Sequence, residues 1–287
     1  MVTAGTDMNM RLYKSGPELL AEIAGTSLPP GMAAIWAIGQ VGVIIRIGGR
    51  MLVVDPFLTG YPGTAPWLRK FQPPFAPEEM PEVDLVLLTH HHEDHMDPNT
   101  LVPLRGRKGT RFILPRAHRA LMRTWGFDDD EQLLPMNHGD TVTDGAGLEI
   151  TAYHAMHDTF ETTESGDHKF LGYLIRVGGI TMYHAGDTVG FPALPEWLRE
   201  MKVDVLFIPI NGRDYARTDT GIVGNCNYRE AADIAAAAGV DLVIPLHYGL
   251  YPNNDENPAY FVDYLYSRYP QMKFHMMTPG ERFIYMK

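Results

Sequence analysis

Cys226 is the only thiol in this chain of 287 residues. An intrachain disulfide is therefore excluded, and with it the stapled scaffold of a small secreted domain. The opening stretch, MVTAGTDMNMRLYKSG, has no basic segment leading into an apolar one and does not read as a secretion signal. Long hydrophobic runs are missing as well. The greasiest stretch, MAAIWAIGQVGVIIRIGG, is broken by Gln40, Arg46 and four glycines, which suits strands and turns and not a membrane span. Positive charge is scarce: 24 lysines and arginines against 35 acidic residues leave a net charge of −11, so a phosphate backbone meets no broad basic face. The one basic cluster, between Arg105 and Arg123, is local and reads as a solvated helix face. What is present is ordinary for a chain that buries a core, with 45% hydrophobic and 21% charged residues. These features lead us to expect a soluble, cytoplasmic protein that binds neither nucleic acid nor membrane.

Hydrophobic patterning supplies the elements. GPELLAEIAG reads as a short helix stopped by Pro29-Pro30-Gly31. AAIWAIG, VGVIIRI and RMLVVD read as strands in a meander. Residues 56–82 are rich in proline and glycine without periodicity, as expected of a lid or pocket loop, although Trp67 and Phe71 within it suit simple packing. VDLVLLT, VDVLFIPI and VDLVIPLH are continuous apolar runs of the kind found in strands buried on both faces. FLGYLIRV and GITMYHAGD meet at Gly178-Gly179, a hairpin signal. NYREAADIAAAAG reads as a helix with Asn227 and Glu230 as a capping box and Gly239 as its stop. PAYFVDYLYSRY predicts a further helix, and FHMM and RFIYM predict closing strands. The pattern predicts a layered α/β sandwich forming one domain over residues 1–287, with 1–31 as a helical N-terminal extension.

The densest chemistry follows VDLVLL. LLTHHHEDHMDP, residues 87–98, packs four histidines and three acids into a strand's C-terminal end, where α/β sheets place their sites. Left unpaired there, such groups would cost several kcal/mol in desolvation. His90 and His92, two apart on extended backbone, point the same way and can pinch one cation. Asp94 and His95 can face a second if the chain turns. Three other strands also end in candidate ligands: LEITAYHAM leads to His157, GITMYHAG to Asp187 and VDLVIPL to His247. His154 competes with His157, whose position beyond the strand favours it. Zinc, manganese and iron all accept such nitrogen and oxygen sets, and no thiolate is near. His118, His138, His168 and His275 lack this setting and suit surface or core roles.

Thr89-His90-His91-His92-Glu93-Asp94-His95 resembles the T-H-x-H-x-D-H motif of the metallo-β-lactamase fold superfamily, and His157, Asp187 in HAGDT and His247 follow in that superfamily's order. The resemblance runs from about Ala33 to the C-terminus and is nearest to the ascorbate 6-phosphate lactonase-like branch. It implies a four-layer αββα sandwich with two divalent metal ions. His90, His92 and His157 would hold one, Asp94, His95 and His247 the other, and Asp187 would bridge them. It further implies a hydrolase in which a water shared by the two cations becomes the nucleophile, with Asp94 orienting it. The expected substrate is a small anionic, phosphorylated lactone or ester; the alternative is a phosphodiesterase or phospholipase D-like reaction on the same site. Manganese and a homo-oligomer are further implications of that branch. Asn211, Arg213 and Tyr248 are candidate substrate contacts; Asp55 and His184 are candidates to steady the ligands.

Overall fold

The computed structural model describes residues 12–60 and 69–287. Residues 61–68, including Trp67, and the first eleven lie outside the described residues.

Two seven-stranded sheets form the centre of the molecule. The first is built from β1 (Met32–Gly39), β2 (Gly42–Ile47), β3 (Arg50–Val54), β4 (Leu85–Leu87), β5 (Arg111–Pro115), β6 (Leu133–Met136) and, from the far end of the chain, β14 (Arg282–Met286). Its order is β14-β1-β2-β3-β4-β5-β6. The second holds β7 (Thr141–Thr143), β8 (Glu149–His154), β9 (Leu171–Val177), β10 (Ile180–His184), β11 (Val205–Pro209), β12 (Leu242–Leu246) and β13 (Lys273–Phe274). Its strands run β13-β12-β11-β10-β9-β8-β7. Each sheet has an antiparallel half and a parallel half: β3, β4, β5 and β6 are parallel neighbours in one, and β10, β11, β12 and β13 in the other.

Strand periodicity explains the layers. In β1, Ala33, Ile35 and Ala37 enter a core shared with the second sheet's Ile150, Tyr173, Ile175, Val205 and Ile244. The alternating Ala34, Trp36 and Ile38 face the other way. There they meet Leu19 and Ile23 of α1 (Gly16–Gly25), Leu101 of α2 (Pro98–Leu101) and Met122 of α3 (Arg119–Thr124). On the second sheet's outer face, α4 (Ala193–Glu200), α6 (Tyr228–Ala238) and α7 (Pro258–Arg268) bury Leu198, Ala235 and Phe261. A short α5 (Tyr215–Asp219) lies beyond β11 and buries no residue. The result is the expected αββα sandwich, and no described helix is long and apolar enough to cross a membrane.

Several elements coincide with their sequence signals. The helix over GPELLAEIAG spans Gly16–Gly25, and Asn227 and Glu230 form the reciprocal capping box of α6, which ends at Gly239 with φ 68°. FHMM departs from expectation, since only Lys273 and Phe274 pair, and with β12 alone.

Candidate metal centre

The candidate ligands converge because strands from both sheets end together. β4 runs through Leu88 and Thr89 into His90, and Tyr173 of the facing sheet donates its hydroxyl to the Leu88 carbonyl at 2.7 Å. Leu171 N–H donates to the Thr89 carbonyl at 3.0 Å, so the opposing sheets are stitched at this end. After His95 the chain enters α2, whose N-cap Asp97 accepts from the Asn99 and Thr100 amides, each at 3.0 Å. Asp187 is delivered by the turn after β10, and His247 by the residue after β12 at φ 62°. The Gly186 turn needs its glycine: φ is 60°, and a Cβ there would stand 2.8 Å from Thr89 Cβ. That close approach lets the HAGDT turn lie against the histidine cluster.

Three ligand groups result, each with donor atoms within 4.8 Å of one another: His90, His92 and His157; Asp94, His95 and His247; and His90, His95 and Asp187. His90 Nε2 and His92 Nδ1 lie 3.0 Å apart. Asp187 stands between the sets, with Oδ1 3.2 Å from His95 Nε2 and Oδ2 3.4 Å from His247 Nε2 and 3.8 Å from His157 Nε2. His154 is elsewhere, packed against His138, His168 and Trp197, so it is His157 that joins the cluster.

Ring tautomers can be read from the partners. Thr89 gives its hydroxyl proton to Asp55 Oδ2 at 2.6 Å and must therefore accept from His90 Nδ1 at 3.1 Å. His95 Nδ1 donates to Asp55 at 2.8 Å. Both rings thus turn Nε2 inward, the arrangement in which a carboxylate or hydroxyl behind a histidine fixes the nitrogen that meets a metal. His95 Nε2 and Asp187 Oδ1 are buried, 3.2 Å apart, and have no partner beyond each other. Orphaned buried donor atoms on ligand-type residues fit a cation. Electrostatics agree. Burial pushes the His95 pKa down, but Asp187, Asp94 and Asp55 outweigh it and hold it well above the ordinary value. For Asp187 burial acts upward, while His95 and His247 carry its carboxyl well below the usual range. The carboxylates call for positive charge at their centre. Burial, reinforced by neighbouring rings, keeps His90 well below its ordinary value and His157 down to about 4, so both stay neutral as ligands must.

Comparison with known proteins gives the family. Residues 50–248 match the family model described as the beta-lactamase superfamily domain. The chain belongs to the metallo-β-lactamase superfamily. Among its relatives is a UPF0173 metal-dependent hydrolase of Nitratidesulfovibrio vulgaris, 30% identical over 247 residues that cover 85% of this chain and 91% of the relative. Igni18, a metallo hydrolase of the archaeon Ignicoccus hospitalis, shares the fold with a TM-score of 0.69 at 22% identity, covering 89% of this chain and 99% of that one. CmlA of Streptomyces venezuelae, a diiron β-hydroxylase, also shares it, with a TM-score of 0.65 at 21% identity over 91% of this chain and 55% of CmlA.

In this superfamily member the candidate ligands His92, Asp94, His157, Asp187 and His247 floor a cleft of about 410 Å³. Its walls come from His91, Glu93, Thr220–Val223 and Asn254. Of the segment 56–82, expected to be a lid or pocket loop, residues 61–68 lie outside the described residues; its described residues do not line this cleft, and Phe71 packs with Phe57, Leu250 and Tyr251. The wall from 220 to 223 carried no sequence signal beyond its place after a strand end.

The three candidate substrate contacts have partners within the fold. Tyr248 is beside His247 in sequence but faces another cavity, where its hydroxyl donates to the Met277 carbonyl at 3.0 Å. His247 has a left-handed backbone at φ 62°, so the chain turns between the two residues, and burial drives the Tyr248 phenol's pKa upward. Arg213 is committed to Glu230, with two contacts at 2.8 and 2.7 Å, and to the Asn225 carbonyl. Asn211 is fully buried, donating to Asn254 at 2.8 Å and accepting from Asn225 at 3.1 Å, so it holds a wall residue and does not reach the cleft. Asp55 accepts from the Thr89 amide and from His95. His184 touches no ligand: its Nε2 donates to the Val41 carbonyl at 3.0 Å and its Nδ1 accepts from the Gly186 amide at 3.2 Å, which steadies the Asp187 turn. Sequence reasoning missed Gln40, whose Nε2 donates to Asp94 at 2.7 Å.

Proposed function

We propose that this metal-dependent hydrolase cleaves a small ester or lactone whose negative charge lies close to the scissile bond. The observation that carries this reading is the pairing of a seven-residue ligand cluster with a compact cleft that no lysine or arginine lines among the described residues. A remote phosphate would find no cationic side chain there, whereas a charge near the reacting atom would lie over the cluster.

His90, His92 and His157 would hold one divalent ion, and Asp94, His95 and His247 a second, with Asp187 between them; zinc, manganese or iron suits this set. Two such ions, when bound, lower the pKa of a water and draw off charge at the reacting centre. Asp94 lines the cleft and is the residue proposed to orient the water and pass on its proton. Asp55 keeps the Nε2 edge of His95 turned inward through the 2.8 Å bond to Nδ1. Thr220 and Asn254, in the cleft wall, offer neutral hydrogen-bonding groups to the substrate.

The second reading, a phosphodiesterase-type hydrolase, is favoured by the same lack of cationic wall residues, because a phosphodiester carries its charge on the reacting phosphorus. Metal-loaded enzyme assayed on simple lactones, a p-nitrophenyl carboxylic ester and bis(p-nitrophenyl) phosphate separates the two. Turnover of the lactones or ester that is lost in His92→Ala supports the first reading. Turnover of the phosphodiester alone favours the second, and none on any substrate removes both.

A further inference from the structure

Gln40 stands in the two-residue turn between β1 and β2, and its backbone is left-handed at φ 56°. That conformation is costly for a side chain larger than glycine, and such strain collects where function holds it. Among the described non-glycine residues, five have positive φ, and three of them, Gln40, Asp55 and His247, meet at this centre. Gln40 is 5% exposed and reaches from the first sheet to the second: its carbonyl accepts from the His247 amide at 3.0 Å. Its Nε2 lies 2.7 Å from Asp94 Oδ2 and 3.2 Å from His247 Nε2. Its Oε1 is buried and has no hydrogen-bond partner.

A bond to Asp94 explains the nitrogen of this carboxamide but leaves the oxygen without a role. A half-turn of the amide exchanges the two, so the place beside Asp94 and His247 is open to Oε1 as well. Donor atoms that share a cation at about 2.1 Å lie roughly 3–3.5 Å from each other. The terminal atom of Gln40 is close to that spacing from two candidate ligands of one ion. We infer that Gln40 is an eighth ligand of the cluster, its Oε1 turning to the cation held by Asp94, His95 and His247. This rests on the dinuclear reading above and adds a neutral oxygen donor to one of its two ions. The added oxygen raises that ion's coordination number and moves its preference towards cations that favour oxygen, such as manganese and iron.

The test loads wild type, Gln40→Ala, Gln40→Gly and Gln40→Glu with Co2+ and measures stoichiometry, affinity by chelator competition, and visible absorption. Glycine tolerates the left-handed turn, so the Gly variant guards against misfolding. The expected result is two ions in wild type. In the Ala and Gly variants one ion should bind about tenfold more weakly, with a several-fold rise in absorption as its coordination number falls. The Glu variant should keep the wild-type spectrum and bind more tightly. A Gly variant whose fully loaded spectrum equals that of wild type overturns the inference even if affinity drops, since Gln40 would then act only by holding Asp94. Wild type that takes up no Co2+ overturns the dinuclear reading itself.

Discussion

At the scale of the residue, the site is decided by what stands behind each ligand. Asp55 accepts from the Thr89 amide and hydroxyl and from His95, so one buried carboxylate orients two histidines. Replacing His92 by Ala or Asp187 by Asn is expected to remove bound metal and activity together while the circular dichroism spectrum stays that of a folded protein. The two triads also differ in protonation. Against the pull of burial, His95 and His247 are held above the ordinary histidine value by the facing Asp94 and Asp187, and for His95 by Asp55 also. Their protonated forms are favoured over those of an ordinary histidine, and a proton on a coordinating nitrogen has to leave before a cation binds there. Burial lowers His90, His92 and His157, which are already neutral. Calorimetric titrations in buffers of different ionisation enthalpy should show one ion entering with more proton release than the other. Equal release at both steps would contradict this assignment. Loop residues beyond strand ends were poorly legible: Tyr248 and Arg213 carry apt chemistry, but their side chains are engaged with Met277 and Glu230. Spacing tells which backbone reaches the centre but not which way a loop side chain turns.

At the scale of the element, legibility followed hydrophobic continuity. VDLVLL, VDVLFIP and VDLVIPL are sheathed by neighbours on both faces, so their greasy runs are unmistakable. α4 escaped notice because ALPEWLRE is short and holds a proline, and it is fixed by burying Leu194 and Leu198 against the sheet. β7 has only three residues, none of them buried, and exists through pairing with β8. Gly186→Ala tests how far the element positions the ligand. A Cβ 2.8 Å from Thr89, at φ 60°, is expected to cost about 1–3 kcal/mol and to weaken metal binding although no ligand changes. Asn227→Ala removes the α6 cap, which accepts from the Arg229 and Glu230 amides at 2.9 and 3.0 Å. It should cost about 1 kcal/mol in denaturant unfolding with metal content untouched.

At the scale of the whole molecule, the two sheets are arranged alike, and the chain closes the first only at its end. β14 pairs with β1 from Met32↔Met286 to Trp36↔Arg282, and Tyr285 enters the core between the sheets. Nothing local in RFIYM announces a partner some 250 residues earlier, so this pairing was invisible to sequence reading while the strand itself was not. The layered class was legible because strands and helices alternate in both halves. The central claim is that both sheets bring their strand ends to one pair of cations. Elemental analysis of the purified protein, wild type beside His90→Ala and His95→Ala, tests it most directly. The account requires two divalent ions per chain in wild type and a loss in each variant; a wild type with none, or variants that keep both, would contradict it.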